Sequence, residues 1–394
     1  MARKMKDSGI EWIGKIPEGW SIARGKHILT LLQRAVFPTD GVITCFRDGE
    51  VTLRSNRRED GFTVSLKEIG YQGIEPGDLV VHGMDGFAGS IGISDSRGKS
   101  SPVLVVLDSS QDKKYLMYYL RSMAYNNVFL ALSTGIRVRS CDLKWNKLAD
   151  LLYLVPPIVE QHKLVSFLDE KCSEIDAMLS KTRASIEEYK KLKQAVITQA
   201  VTTLNCPNVK LKYLMDIIVD CPHETPIYTF TGNYLVIRTS DQSLASLRCD
   251  EYMYRLDEAE YKKRTRRLTL DKDDIVYGRE GSWGLACLVP QSNKYCLGQR
   301  VMQFRCNTRL LYPKYAMYAL NSETVYMQGA LDTIGSTAPH VNISTICNYL
   351  LPVPALTEQK EVADYLDAKC AEIDGLIAKK EQLVKELESY KKSL

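Results

Sequence analysis

The side chains of this chain that could act as nucleophiles, metal ligands or phosphate binders form no catalytic pattern. Its eleven cysteines contain no CxxC pair and its five histidines are scattered, so spacing alone assembles neither a metal cluster nor a catalytic triad. Gly98-Lys99-Ser100 resembles the end of a nucleotide-binding motif, but Ile93 stands where that motif requires glycine. We expect a surface turn at this point, and we predict no catalytic residue and no metal site.

Basic and hydroxyl side chains give a better indication of function, because they suit contacts with DNA phosphates and base edges. The candidates are Ser133, Thr134, Arg137 and Arg139 in one late loop, Ser336, Thr337 and His340 in the corresponding loop of the second half, Arg279 in a glycine loop, and the cluster Arg54, Arg57 and Arg58. A second basic run lies between Lys262 and Arg267. Acidic residues lie beside both basic clusters in the sequence, so the clusters can also be interpreted as ordinary exposed surface.

An internal repeat organises the chain around these candidates. The segment 156–176 returns 198 residues later as 354–374, and ten of the 21 aligned positions are identical. Each copy begins with proline followed by a Glu-Gln pair and continues into an apolar helical pattern. Because a repeat of this kind determines the architecture, it indicates a duplicated fold.

Both copies predict long amphipathic helices with a heptad seam. The proposed helix-pairing residues are Leu168, Cys172, Ile175 and Leu179 in the first copy and Leu366, Cys370, Ile373 and Ile377 in the second. Thr182, Lys193, Lys380 and Lys391 are the weak positions of this seam. A seam of this length needs a partner helix, and we expect each copy to pair with the other.

The regions before each repeat copy share one plan. We predict a first globule at residues 1–155, a central helix at 156–205, a second globule at 206–353 and a C-terminal helix at 354–394. Buried strands and a tyrosine-rich helix recur in both globules, which indicates an α/β (α+β) class. The segment from Lys6 to Trp20 predicts an extended arm anchored by two tryptophans.

Composition restricts the function classes without deciding between them. Hydrophobic residues make up 45% of the chain, charged residues 25%, and the formal net charge is +4. These values are typical of globular domains, and the mild positive charge permits a nucleic-acid partner without requiring one. The polar N-terminus and the lack of any run of about 18 apolar residues predict a reduced cytoplasmic protein without a membrane segment.

The motifs together resemble the specificity subunit of type I restriction-modification systems. They are Lys6-Asp7-Ser8-Gly9 through Pro17-Glu18-Gly19-Trp20, the Gly-Asp-Leu-Val strand at 77–80, the late Gly-Ser-Thr loop, and Pro-Pro-x-x-Glu-Gln leading into Leu-Asp-x-Lys-x-x-x-Ile-Asp. The resemblance covers the whole chain. It implies two target recognition domains that alternate with two conserved helices, which pair as an antiparallel coiled coil.

The resemblance also implies a function. Each globule would recognise one half of a split double-stranded DNA sequence, and the helices would set the spacing and hold two modification subunits. The chain itself would be non-catalytic and carry no cofactor. Its partners would bring S-adenosylmethionine for adenine methylation, and restriction subunits would use ATP and magnesium for translocation and cleavage.

Two other hypotheses remain open from the residues alone. A coiled-coil scaffold that binds proteins through both globules, without touching DNA, is compatible with the modest charge. An enzyme with a nuclease or methyltransferase site inside one globule is disfavoured by the absent motifs. The sequence does not identify the bases that are recognised or the length of the spacer between half-sites.

Overall fold

The fold combines helices with mainly antiparallel sheets, and one architecture occurs twice. The computed structural model describes residues 3–57, 68–131, 142–248, 250–281, 283–331, 333 and 340–394. The chain divides into two compact units, residues 1–181 with 384–394, and residues 182–383. Each unit therefore contains one globule together with parts of both long helices.

The first globule is built from short strands followed by helices. Its described strands are β1 (Met5–Asp7), β2 (Lys15–Pro17), β3 (Ser21–Arg24), β4 (Leu29–Leu31), β5 (Ile43–Cys45), β6 (Val51–Leu53), β7 (Gln72–Ile74), β8 (Leu79–His82), β9 (Ile91–Ile93), β10 (Gly98–Ser100), β11 (Leu104–Ser109) and β12 (Leu152–Val155). Its described helices are α1 (Lys113–Tyr125), α2 (Val128–Ala131) and α3 (Trp145–Asp150).

A four-stranded antiparallel sheet in the order β4-β11-β8-β9 forms the centre of this globule. The central strand β11 forms because Leu104, Val105, Val106 and Leu107 are bulky apolar residues that bury both faces. Helix α1 starts at Asp112, whose carboxylate accepts hydrogen bonds from two free N–H groups of the first turn. Its buried face packs on the sheet and closes the core.

The second globule follows a similar order, with eleven described strands. These are β13 (Asn208–Lys210), β14 (Met215–Asp220), β15 (Tyr234–Ile237), β16 (Gln242–Ser243), β17 (Ser246–Leu247), β18 (Arg255–Leu256), β19 (Ile275–Gly278), β20 (Ala286–Leu288), β21 (Tyr295–Leu297), β22 (Val301–Cys306) and β23 (Leu350–Pro352). Its described helices are α5 (Glu258–Arg264), α6 (Pro313–Leu320), α7 (Glu323–Ala330) and α8 (Ile343–Cys347).

The two globules have matching sheets. The order β14-β22-β19-β20 repeats β4-β11-β8-β9, and the pair β13-β23 repeats β3-β12. In the second globule, β15 pairs with β18 antiparallel and with β21 parallel. A common scaffold therefore carries different loops in the two halves.

Two long helices follow the globules, α4 (Ile158–Thr202) and α9 (Leu356–Ser393). Within the second unit they run antiparallel, because Asp374 lies beside Lys193 while Lys380 lies over the ring of Tyr189. Of the predicted seam residues, Ile175, Leu179, Leu366, Cys370 and Ile373 are buried, whereas Leu168, Cys172 and Ile377 are half-buried.

Two of the predicted weak positions carry the ion pairs of the seam. In the second unit, Lys193 Nζ donates to both carboxylate oxygens of Asp374 at 3.0 and 2.8 Å. In the first unit, Lys391 Nζ donates to Asp176 at 2.6 and 2.7 Å. Lys391 and Asp374 lie 198 residues after Lys193 and Asp176. The two ion pairs are thus the same contact, formed once in each unit.

Two expectations from the sequence are wrong. Gly98–Ser100 is strand β10, paired with β7, and Ser100 is fully buried. The glycine is required there because an added Cβ would lie 2.5 Å from a backbone oxygen of the neighbouring segment. The predicted extended arm is instead a hairpin, in which β1 pairs with β2. Trp20 still anchors this region, because its indole N–H donates to Glu160 at 2.7 Å.

Candidate nucleic-acid interface

Each globule is fixed to its own long helix by an acidic residue with two partners. Asp169 of α4 accepts hydrogen bonds from the Lys114 ammonium and the Tyr118 hydroxyl, both at 2.8 Å. In the second unit, Asp367 of α9 accepts from Lys314 and, at 2.8 Å, from the Tyr318 hydroxyl. Burial raises the pKa of both tyrosines, with the carboxylate contact adding to the rise. The phenols therefore stay protonated and act as donors.

The Glu-Gln pair of the repeat has a structural role as well. Gln161 is fully buried, and its side-chain oxygen accepts from the N–H of Asp112, the N-cap of α1, at 3.0 Å. Gln359 accepts in the same way from the N–H of Tyr312, the N-cap of α6, at 2.7 Å. Each glutamine amide also donates to the carbonyl of a proline five residues earlier. The repeated motif thus sets the position of each globule on its helix.

In the first globule, a glycine loop follows strand β8. The imidazole Nδ1 of His82 accepts from the N–H groups of Met84 and Asp85 at 3.3 and 3.0 Å. Burial lowers the pKa of His82, which suits the neutral form that these two bonds require. Asp85 pairs with Arg47 at 3.0 Å. The loop is thus held by its own side chains.

The predicted arginine cluster of this globule is engaged with neighbouring residues. Arg57 pairs with Asp48 at 2.7 Å and Glu50 at 3.1 Å, and its guanidinium lies 4.2 Å from the centre of the Phe46 ring. The contact with Asp48 raises the pKa of Arg57. Arg54 donates to the Thr44 hydroxyl at 3.3 Å. These contacts place both arginines beside the β5-β6 hairpin.

In the second globule, the structure brings two predicted residues together. Arg279 donates to both carboxylate oxygens of Asp220 at 3.0 and 3.2 Å and also pairs with Glu280 at 3.0 Å. Glu280 in turn forms a backbone bridge with His340. The Arg279 side chain is only 9% exposed. Arg279 therefore orders the loop from within, while His340 lies exposed at its surface.

The second basic run contains a buried residue that sequence patterning does not reveal. Arg264, at the end of α5, donates to the carbonyl oxygens of Pro222, Glu224, Leu297 and Gly298 at 2.6 to 3.3 Å. Its partners lie more than 30 residues away in sequence, so local spacing gives no signal for them. The interpretation of this run as ordinary exposed surface is therefore wrong for Arg264, which ties two loops to α5.

Sequence reasoning also missed a set of exposed aromatic residues. Phe37 is 52% exposed and Phe230 is fully exposed. In the second globule, Tyr228, Tyr252 and Tyr254 are exposed as well. Aromatic residues in loops without periodicity look like core residues in a sequence, so only the structure separates these from the buried ones.

Other predicted residues lie outside the described part of the chain. These are Arg58, Ser133, Thr134, Arg137, Arg139, Ser336 and Thr337. Within the described ranges, no three His, Cys, Asp or Glu side chains are grouped so that they could hold a metal ion. Among the helices of those ranges, none combines the length and apolar character needed to cross a membrane.

Comparison with known sequences agrees with the resemblance carried by the sequence motifs. A family model described as Type I restriction modification DNA specificity domain matches residues 220–386. The StySPI specificity subunit of Salmonella potsdam is 22% identical over 406 residues, which cover 92% of this chain and 84% of that protein. The EcoKI specificity subunit of Escherichia coli strain K12 is 23% identical over 48% of this chain and 44% of that protein.

These matches support the chain as a type I specificity subunit. The relatives and the family model indicate DNA sequence specificity in a type I restriction-modification system, and the DNA-free scaffold is not favoured. The resemblance stated from the sequence motifs is confirmed.

Solved structures share the fold of this chain. A chain from a structural study of complex assembly and conformational transition in the type I R-M system superposes with a TM-score of 0.70, at 16% identity and 96% coverage of both chains. The HsdS subunit of Thermoanaerobacter tengcongensis gives a TM-score of 0.52, at 15% identity, covering 98% of this chain and 97% of that one. The predicted mixed fold with two pairing helices is confirmed.

Proposed function

We propose that each globule of this specificity subunit recognises one half of a split double-stranded DNA site, and that α4 and α9 set the spacing between the halves. The observation that carries this proposal is the repeated scaffold with unlike loops. Sheet order, the glutamine contact and the acidic anchor recur in both globules, whereas the exposed loop residues differ. A scaffold that is repeated with different loops suits two domains that recognise different DNA sequences.

The helices also offer docking surfaces for two copies of one partner. In the first unit, Phe167 of α4 and Tyr390 of α9 are 51% and 53% exposed. In the second unit, Tyr365 of α9 and Leu192 of α4 are 51% and 47% exposed. Phe167 corresponds to Tyr365, and Leu192 to Tyr390, at the repeat distance of 198 residues.

Exposed aromatic and aliphatic side chains at matched positions are typical of protein interfaces. Each of the four residues directly precedes a seam position, so all of them lie on the same flank of their helix. We propose that one modification subunit docks on this flank in each unit. The two modification subunits would then use equivalent contacts.

Catalysis belongs to other subunits in this proposal. The specificity-subunit family is known as non-catalytic, and we propose that modification subunits methylate adenine with S-adenosylmethionine. Restriction subunits would use ATP and magnesium to translocate and cleave DNA. A complex that acts on cellular DNA would work in the cytoplasm.

The docking surfaces can be tested by charge substitution. Phe167→Asp or Tyr365→Asp should each remove one of two modification subunits from the complex, because a carboxylate would be buried in an apolar contact. Ser180→Asp and Ala378→Asp are matched controls, since both positions are exposed and also lie 198 residues apart. Mass measurement of the purified complexes would show the stoichiometry. Retention of both subunits by the double variant Phe167→Asp/Tyr365→Asp would contradict the proposed surface.

Independent recognition of the two half-sites can be tested by exchanging one globule. Replacing residues 1–155 with the corresponding globule of a relative should change one half of the methylated motif and preserve the other. Each globule has its own core, which supports independent recognition. A change in both halves would show that the globules do not recognise DNA separately.

A further inference from the structure

Phe230 lies in an environment that gives it no role in folding. It is fully exposed in the loop 221–233, which connects β14 to β15 and which we call the second edge loop. Removing a phenyl ring from water is one of the larger contributions to stability, and this ring makes none. In the first globule, Phe37 is 52% exposed in the loop 32–42, the first edge loop.

These two loops are equivalent in the repeated fold. Each follows the edge strand of a four-stranded sheet, β4 in the first globule and β14 in the second. After each loop, the chain pairs in parallel with the strand that comes just before the central strand in sequence. In the first globule Val42 pairs with Lys99 of β10, and in the second Val236 of β15 pairs with Cys296 of β21. Phe37 lies five residues before Val42, and Phe230 six residues before Val236.

The first edge loop is held in place around its phenylalanine. Asp40 accepts from the N–H of Phe37 at 2.8 Å and from Arg97 at 3.2 and 3.3 Å. The guanidinium of Arg97 also lies 4.1 Å from the centre of the Phe37 ring. One side of this ring is therefore supported by the protein while the remainder faces solvent.

The second edge loop is held by a different set of contacts. Arg264 binds the carbonyl oxygens of Pro222 and Glu224 at its start. Near its end, the N–H of Thr229 donates to the carbonyl of Arg255 at 2.8 Å, and the Thr229 hydroxyl accepts from the N–H of Gly232 at 3.0 Å. Phe230 is thus displayed by a loop that is fixed on both sides.

An exposed aromatic ring on a fixed loop suits stacking on a nucleic-acid base. Phenylalanine inserts between base steps in several classes of DNA-binding protein, and base stacking on an aromatic ring tolerates any sequence. Such a contact is useful to both globules even when they recognise different bases. This explains why an exposed phenylalanine recurs while its surroundings differ.

We propose that Phe37 and Phe230 are equivalent base-stacking residues, each inserting its ring at a base step of the half-site that its globule recognises. The inference rests on the proposed function, because it requires that both globules contact DNA. Beyond DNA recognition by each globule, it names the side chain that contacts the DNA and the way in which it does so. Local unstacking of the duplex is the observable consequence.

The test uses the complex of the full chain with its cognate modification subunits. The methylated motif of cells that contain this complex defines the DNA duplex, and 2-aminopurine placed at successive positions reports unstacking. Phe37→Ala and Phe230→Ala are compared with Phe37→Tyr and Phe230→Tyr, which keep a ring. Tyr213→Ala is the matched control, because Tyr213 is 64% exposed and precedes β14, at the opposite end of that strand from the second edge loop.

Each alanine variant should bind the specific duplex about tenfold more weakly or worse, and each tyrosine variant should remain close to the parent. In the parent complex, 2-aminopurine fluorescence should increase at the unstacked position of each half-site. This increase should disappear from one half-site in Phe37→Ala and from the other in Phe230→Ala. Parent-like affinity and fluorescence in both alanine variants would overturn the proposal. Loss of modification subunits from these variants would also overturn it, by identifying the loops as protein-docking surfaces.

Failure of this inference is distinguishable from failure of the proposed function. If the unsubstituted complex bound the duplex without sequence preference, the proposed function would fail. If that complex bound specifically while both alanine variants behaved like it, only the stacking role would fail.

Discussion

The repeated ion pair of the helix seam predicts unequal losses of stability from equivalent substitutions. Lys193 is 8% exposed and its partner Asp374 is 51% exposed, whereas Lys391 and Asp176 are 31% and 55% exposed. Asp374→Asn leaves a buried ammonium without its counter-charge, which costs about 3 to 5 kcal/mol in a fully buried pair. Because Asp374 is half-exposed, solvent screening reduces the expected loss to about 2 kcal/mol.

The equivalent substitution in the first unit should cost much less. Asp176→Asn removes an exposed pair, which is worth about 0.2 to 1 kcal/mol. Lys193→Met removes the charge but keeps a long apolar side chain, so its effect should stay within about 1 kcal/mol of the parent. The predicted order of destabilisation is therefore Asp374→Asn, then Asp176→Asn, with Lys193→Met near neutral.

Urea unfolding of the full chain, followed by helical circular dichroism, measures this order. With a denaturant dependence of about 2 kcal/mol per molar urea, Asp374→Asn should lower the midpoint by about 1 M and Asp176→Asn by a quarter of that. High salt should abolish the Asp176→Asn effect and leave most of the Asp374→Asn effect. Equal midpoints for the two asparagine variants, or a loss in Lys193→Met as large as in Asp374→Asn, would refute this account of the seam.

Four further predictions follow from the fold and the candidate interface. Asp169→Asn and Asp367→Asn should each destabilise the protein by about 1 to 3 kcal/mol, seen as a lower unfolding midpoint, because each weakens two hydrogen bonds from globule to helix. Arg137→Ala should reduce methylation of the motif more than Arg57→Ala, since Arg57 is engaged by Asp48 and Glu50; equal methylation by the two variants would contradict this. Inserting one heptad after Arg183 and one after Glu381 should lengthen the spacer of the methylated motif by about one to three base pairs, since seven helical residues add about 10 Å. An unchanged spacer at full occupancy would contradict the role of the helices in setting the spacing. The hydrogen bond from the N–H of Phe37 lowers the pKa of Asp40. The stabilisation that Asp40 gives to the first edge loop is therefore present above its unfolded pKa of about 4, and it is lost as pH falls through the lower folded pKa. The fluorescence of a tryptophan placed at position 37 should report this acid transition, and Asp40→Asn should abolish it.

The helices and the repeated architecture were predictable because their signals are local or periodic. The heptad spacing of Ile175, Leu179 and Ile373 appears in one stretch of sequence each, and burial follows from that spacing. The repeat then identifies the second half from the first. By contrast, Lys193 looks like a defect in the seam, because its partner Asp374 lies 181 residues away.

The candidate interface was less predictable for a related reason. Arg264 and Arg279 carry the same charge as an exposed arginine, and only the distant carbonyl and carboxylate partners show that they order loops. Phe230 has the composition of a core residue and is fully exposed. Sequence patterns therefore gave the framework of each globule, whereas the role of single loop residues depended on contacts between segments that are far apart in the chain.

We expect this chain to determine the DNA sequence that its complex methylates, as the proposed function requires. Single-molecule sequencing of methyladenine should be compared between cells with the intact gene, cells without it, and cells with the gene restored. One split methylated motif should disappear with the chain and return on complementation. Persistence of every methylated motif in cells that lack the chain but retain its modification subunits would show that the chain does not determine the methylated sequence.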